Sequence, residues 1–271
     1  MNSNLTATET INVSDIPFEE YNRRQLYEIS AERNRERAFN AKPSGNFVYD
    51  GNVWLPQEYE GFAVVSMLDE NEGNEPLAAR LVEIQKELQY NLQPTYGFYQ
   101  LPADSFHQTV ANTLSVGRFY DHILNAGLER TFPQIVGNVF DSIPDKENSR
   151  PLNMKMAGLS VFSTAIGMLG VIENEVDYNR VTCFRSQFYG DKKLTELDVK
   201  MTRPFIGHIT LAYVEHVLNK NQKDHLATVI NEINESLSGE KNYFNISKTG
   251  LRRYRHLAEF IKRDNYPTHV L

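Results

Sequence analysis

Two short stretches constrain this chain more than any other feature it has. Pro204-Phe205-Ile206-Gly207-His208-Ile209-Thr210-Leu211-Ala212-Tyr213-Val214 and the earlier Asp104-Ser105-Phe106-His107-Gln108-Thr109-Val110-Ala111 each set His-x-Thr inside an otherwise apolar, β-favouring run. A strand places residues i and i+2 on one face, roughly 6 to 7 Å apart along the backbone, so each run presents an imidazole beside a hydroxyl. Two such strands facing one another make a four-group site. One imidazole can take a proton while the other gives one, and the hydroxyls can hold the oxygens of a phosphate between them. The copies lie 208 − 107 = 101 positions apart, room for each to belong to its own strand and helix unit. A lone His-x-Thr is most simply a strand histidine satisfied by backbone or water; two in matching context point to a catalytic pair.

Composition narrows the partners. At 271 residues the chain can build one large domain or two small lobes with ample core. A formal net charge of −7 argues against a dedicated binder of long duplex nucleic acid, which needs a broad basic surface, but leaves room for a small anion in a local basic pocket. The single cysteine, Cys183, excludes an intrachain disulfide, and its expected place is a buried or semi-buried helix position. No N-terminal apolar segment reads as a signal peptide and no run reaches the length of a membrane span, so the expectation is a cytoplasmic protein with no membrane partner. The oligomeric state is not legible.

Along the chain, residues 1 to about 13 are Asn-, Ser- and Thr-rich and read as a disordered tail. From a Ser14-Asp15 cap to about Phe39 the pattern is helical, with Phe18, Tyr21, Leu26 and Ile29 inward. Residues 1–44 thus form a tail and helical arm, and 45–271 the main domain. Asp50-Gly51 suggests a tight hairpin within Asn46–Leu55. Gly61–Leu68 reads as a buried strand, Pro76–Tyr90 as a helix with Leu77, Leu81, Ile84 and Leu88 on one stripe, and Tyr96–Leu101 as a strand before the first His-x-Thr. A mostly helical stretch from Gly117 to about Asp141 is followed by strands over Asn153–Thr164 and Leu169–Ile172 around Gly167, and by a helix over Asp177–Tyr189. A polar loop then leads to the second motif. Gln222–Leu237, with Leu226, Val229, Ile230, Ile233 and Leu237 inward, and a closing strand over Tyr243–Ser247 complete the order.

The two motifs resemble those of the 2H phosphoesterase superfamily, which contains LigT-like RNA cyclic phosphodiesterases and plant cyclic phosphodiesterases: His, an apolar residue, Thr or Ser, an apolar residue, twice. His208-Ile209-Thr210-Leu211 matches in full, whereas His107-Gln108-Thr109-Val110 carries polar Gln108 in an apolar slot on the opposite strand face, where it is expected to matter for packing more than for chemistry. The resemblance covers roughly residues 45 to 260. It implies an α+β, bilobal, duplicated LigT-like fold of two pseudo-symmetric lobes, with two antiparallel sheets flanking a central cleft and helices outside. The implied activity is a hydrolase opening 2′,3′-cyclic phosphates of nucleotides or RNA ends without a metal or other cofactor. His107 and His208 would be acid and base, in an order the residues leave open, and Thr109 and Thr210 would contact phosphate oxygens.

Other groups have plainer explanations. His122, His216, His225, His256 and His269 lack a paired hydroxyl and read as surface or partly buried side chains. Tyr96, Phe98, Tyr99 and Phe106 can stack a base but are more simply core, and Arg203 with Arg252, Arg253, Arg255 and His256 reads as a solvated basic face rather than a substrate clamp. No phosphate loop, His-Glu-x-x-His, Cys-x-x-Cys or Gly-x-Ser-x-Gly is present. Two functions of different class therefore stand: a cyclic phosphodiesterase, and a module that senses a nucleotide or cyclic oligonucleotide in the same cleft without turnover.

Overall fold

Three antiparallel sheets organise the computed structural model, which describes residues 13–92, 97–144 and 150–271. In chain order, α1 (Phe18–Glu28) and α2 (Ala31–Phe39) precede the hairpin β1 (Phe47–Tyr49) and β2 (Trp54–Pro56). Then come β3 (Gly61–Met67), α3 (Glu75–Leu92), β4 (Phe98–Gln100), β5 (His107–Ser115), α4 (Val116–Phe119) and α5 (Phe132–Ser142). The chain continues through β6 (Leu152–Phe162), β7 (Ala165–Ile172), α6 (Glu175–Gly190), α7 (Lys192–Glu196) and β8 (Gly207–Val214). It ends with α8 (Lys220–Leu237), β9 (Tyr243–Ile246), β10 (Lys248–Tyr254) and β11 (Thr268–Val270). The class is α+β, as the resemblance implies.

One sheet has the order β11-β10-β3-β5 and the other β4-β8-β7-β6-β9. Each draws strands from both halves of the sequence, since β4 joins the later strands and β10 returns to β3. α1 lies against β7, while α2 and α8 lie against β6. Tyr21 of α1 is fully buried, stacks on Tyr178 of α6, and donates its hydroxyl to the Gly170 carbonyl at 3.3 Å, so the N-terminal arm is part of the core. The stripe expected on α3 and that on α8 are buried.

Several local expectations are corrected. The arm is two helices, because Ser30 caps α2 by accepting from Arg33 N, and Leu26 faces solvent at 57% exposure. Asp15 is no cap: α1 begins after Pro17, and the Asp15 carboxylate instead pairs with Arg185. The hairpin pairs Tyr49 with Trp54 around a wider loop, closed by Asp50 Oδ1 accepting from Asn52 N and Val53 N, so Asp50-Gly51 is not a two-residue turn. Gly167 lies within β7 opposite Thr210 and Ser160 rather than at a turn. The strand β10 follows β9 after Ser247, a continuation the polar residues Lys248 to Arg253 concealed. Cys183 is exposed, not buried. Tyr96 and all of the expected tail except Val13 lie outside the described residues.

The strands β5 and β8 share an irregularity that positions what they carry. In β5, Thr109 opposes Val65 and Ala111 opposes Val64, so Val110 is an extra, unpaired residue. In β8, Thr210 opposes Gly167 and Ala212 opposes Ile166, so Leu211 is extra in the same place. A bulge shifts the alternation by one residue and leaves a backbone group to be satisfied from elsewhere. Side chains from helices do this in both strands. Arg185 Nη1 of α6 donates to Val110 O at 2.6 Å, and Gln85 Nε2 of α3 donates to Leu211 O at 2.8 Å, alongside Leu101 N at 2.9 Å.

Candidate functional site

Between the faces of the two large sheets lies a cavity of about 370 Å³, lined by His107, Thr109, His208 and Thr210 together. The strands bring both motifs to one place, with the side-by-side imidazole and hydroxyl that the i, i+2 spacing requires. Beyond each motif the bulge changes which residue faces inward next. Strict alternation puts Ala111 and Ala212 on the cavity side, whereas the shifted register brings Asn112 and Tyr213 into the lining. The two strands therefore present the same layout, His-x-Thr, an apolar bulge residue, Ala, then an inward polar side chain.

Each imidazole is held the same way. His107 Nδ1 lies 2.7 Å from Ser105 O and His208 Nδ1 lies 3.2 Å from Ile206 O, in both cases the carbonyl two residues upstream. A carbonyl only accepts, so Nδ1 carries the proton and the neutral ring keeps Nε2 as its free basic nitrogen. A phenylalanine flanks each ring: Phe260 at 4.0 Å from His107 and Phe162 at 5.2 Å from His208, between centroids. Burial pushes the His107 pKa down to about 4, against the pull of Ser105 O. Burial does the same to His208, also to about 4, with the Arg203 charge and His107 adding to it. Both shifts favour the neutral rings near pH 7.

Arg203 lines the same cavity and is its single lysine or arginine among the described residues. Taken with its backbone the residue is exposed, but burial of the guanidinium, with the nearby Arg185 charge, lowers its pKa, and it makes no ion pair with any described residue. It stands on the loop before β8, where Arg185 Nη2 holds its carbonyl at 2.9 Å and Asp15 Oδ1 accepts from Phe205 N at 2.5 Å. The rest of the expected basic face is elsewhere. Arg252 and Arg253 are 2% and 4% exposed, paired with Glu70 and with Glu60 and Glu129, and the Arg253 guanidinium lies 4.2 Å from the Phe119 ring centre. They are structural cations, neither solvated nor in the site.

Tyr59, Tyr213 and Tyr254 line the cavity with Leu257, Phe162 and Phe260, an apolar wall beside the polar floor. Of the aromatic residues considered from sequence, those that are described are not part of it: Phe98 and Phe106 are in the core and Tyr99 stacks on Phe47 at 3.7 Å. None of the five other histidines lines it; His269 is buried against Phe140 and Phe184. Among the described residues, no carboxylate or thiol is in the lining, and no group of three or more His, Cys, Asp or Glu that could hold a metal ion occurs. The site offers two basic nitrogens, two hydroxyls in register with them, and one guanidinium. That set can bind an anion and move protons on both sides of it.

No family model and no curated protein matches the chain. Among solved structures, that of a conserved protein of unknown function from Agrobacterium tumefaciens is similar at a TM-score of 0.54 and 16% identity, over 88% of this chain and 97% of that one. A protein from Thermus thermophilus gives 0.39 and 14%, over 78% and 94%. The first likeness is one of fold.

Proposed function

We propose that this chain is a phosphodiesterase of the 2H type, opening 2′,3′-cyclic phosphates of nucleotides or RNA ends by acid and base catalysis at His107 and His208. The observation that carries this is the convergence of both His-x-Thr pairs on one cavity, each ring tied through Nδ1 to the carbonyl two residues upstream so that Nε2 is left for proton exchange. The equivalent bulges of β5 and β8 support a duplicated LigT-like arrangement behind it.

Hydrolysis of a cyclic phosphodiester requires a water deprotonated on one side of phosphorus and an alkoxide protonated on the other. One Nε2 takes the water proton as the oxygen attacks phosphorus. The other imidazole, protonated, gives its Nε2 proton to the ring oxygen as its bond to phosphorus breaks. Thr109 and Thr210 donate hydroxyl hydrogens to non-bridging oxygens, where charge builds. Both protons pass through imidazoles, so no metal ion is assigned a step. Burial lowers both imidazoles alike, with the Arg203 charge adding to the effect at His208, so either ring can serve as base while the other serves as acid. The phosphate charge itself raises His107 from about 4 toward the range where it can hold its proton. Stacking on Tyr59, Tyr213 or Tyr254 suits a nucleobase.

The burial that lowers both imidazoles disfavours a protonated acid and so favours the non-catalytic alternative. Incubating the purified protein with 2′,3′-cyclic nucleotides in EDTA separates the two. Turnover that falls by about 10²- to 10⁴-fold in His107→Ala and in His208→Ala supports the enzyme. Binding without product points to a sensor, and neither binding nor product removes both.

A further inference from the structure

Gln108, the polar residue in the apolar slot of the first motif, lies on the face of β5 opposite the cavity and is fully buried. A buried amide is costly unless every donor and acceptor is used, and here all are. Its Oε1 accepts from His208 N at 2.6 Å, and its Nε2 donates to Ile206 O at 3.0 Å and to Thr109 O at 2.7 Å. The amide fits in one sense only, because an N–H needs the oxygen and two carbonyls need the NH2 group.

The partners are informative. Ile206 O is the same carbonyl that holds His208 Nδ1. His208 N lies in the part of β8 that β4 leaves uncovered, since β4 pairs only with Ala212 to Val214. Gln108 thus supplies from β5 the hydrogen bond a missing neighbour strand leaves unmade, and grips the backbone on both sides of the second histidine. At the matching position of the second motif, Ile209 is apolar and fully buried. One amide reaching across from β5 serves both strands.

We propose that Gln108 is a positioning residue that sets His208 against His107: it orients the Ile206 carbonyl that fixes the Nδ1–H tautomer of His208 and so presents Nε2 to the cavity. The catalytic consequence rests on the phosphodiesterase reading; the effect on the ring does not.

The test uses the full chain with 15N-labelled histidine. In the wild type, His208 is expected as the Nδ1–H tautomer across pH 6 to 8. In Gln108→Leu the ring should populate both tautomers while His107 keeps its own, and kcat on a 2′,3′-cyclic nucleotide should fall about 10- to 100-fold with KM within about twofold. Gln108→Glu keeps the volume and the acceptor for His208 N–H while its ionised form loses the donor to Ile206 O. It should loosen the His208 tautomer at pH 8, recover it as the carboxyl is protonated, and carry the test if the leucine variant does not fold. An unaltered His208 tautomer in the folded variants overturns the proposal whatever the enzyme does. The tautomer change without any wild-type turnover retains the positioning role and removes the phosphodiesterase reading instead.

Discussion

Arg203 brings to the cavity a charge that no described carboxylate pairs with, and that makes a clean test. A charge-assisted hydrogen bond to an anion contributes about 1.5 to 3 kcal/mol, so Arg203→Ala should weaken binding of a 2′,3′-cyclic nucleotide by about 10- to 100-fold. Because burial and the neighbouring Arg185 charge both disfavour the Arg203 cation, its removal should not lower the melting temperature. Isothermal titration beside a thermal melt reads both, and unchanged affinity would remove Arg203 from the site. The histidines add a pH signature. Burial holds each ring at about 4, and an anion bound between them raises both. Binding should therefore take up protons and tighten as pH falls from 7.5 to 5.5, which titrations in buffers of different ionisation enthalpy detect.

At the scale of elements, the two motif strands depend on helices that the motifs themselves do not mention. Arg185 on α6 joins three segments: Asp15 ahead of α1 at 2.8 Å, the Val110 carbonyl at the β5 bulge, and the Arg203 carbonyl before β8. Its guanidinium is 4% exposed. Removing one partner of a buried pair strands the other charge and costs about 3 to 5 kcal/mol, so Asp15→Ala should lower the unfolding free energy from urea melts by that amount. If it costs no more than a surface substitution, the arm is not anchoring the site. By contrast Ser30→Ala, which removes only the cap of α2, should cost about 1 kcal/mol in the same melts. Gly207, next to His208, marks another close approach: a Cβ there would lie 2.5 Å from Gly170 O across the β7–β8 pair.

For the molecule as a whole, the cavity histidines link stability to pH. Their folded values of about 4 lie below the ordinary 6.5, so the unfolded chain binds protons more readily. Their contribution is complete above pH 6.5 and is lost as pH falls toward 4. Asp177 and Asp198, held below the carboxylate range by neighbouring hydrogen bonds and cations that outweigh burial, lose theirs only at still lower pH. Urea melts between pH 7.5 and 4.5 should show the decline, and the double variant His107→Asn with His208→Asn should flatten it. A decline equally steep in that variant would assign the slope to other groups.

Local chemistry along the chain was enough to determine the long helices, the strand character of both motifs, and the i, i+2 pairing of His107 with Thr109 and of His208 with Thr210, because period and side-chain type act over a few residues. What only the tertiary structure decided was everything that depends on partners distant in sequence. The bulges at Val110 and Leu211 show no local mark, yet they bring Asn112 and Tyr213 inward by shifting the pleat. Arg252 and Arg203 look alike as cations in the sequence; the half-buried Glu70 carboxylate pairs with the first, while the second lines the cavity. Gln108 looks like a packing blemish in the sequence, and only the fold brings His208 N and Ile206 O to its amide. The reason is the same in each case: a polar group takes its meaning from the donor or acceptor that meets it, and here those partners lie between 75 and 182 residues away in the sequence.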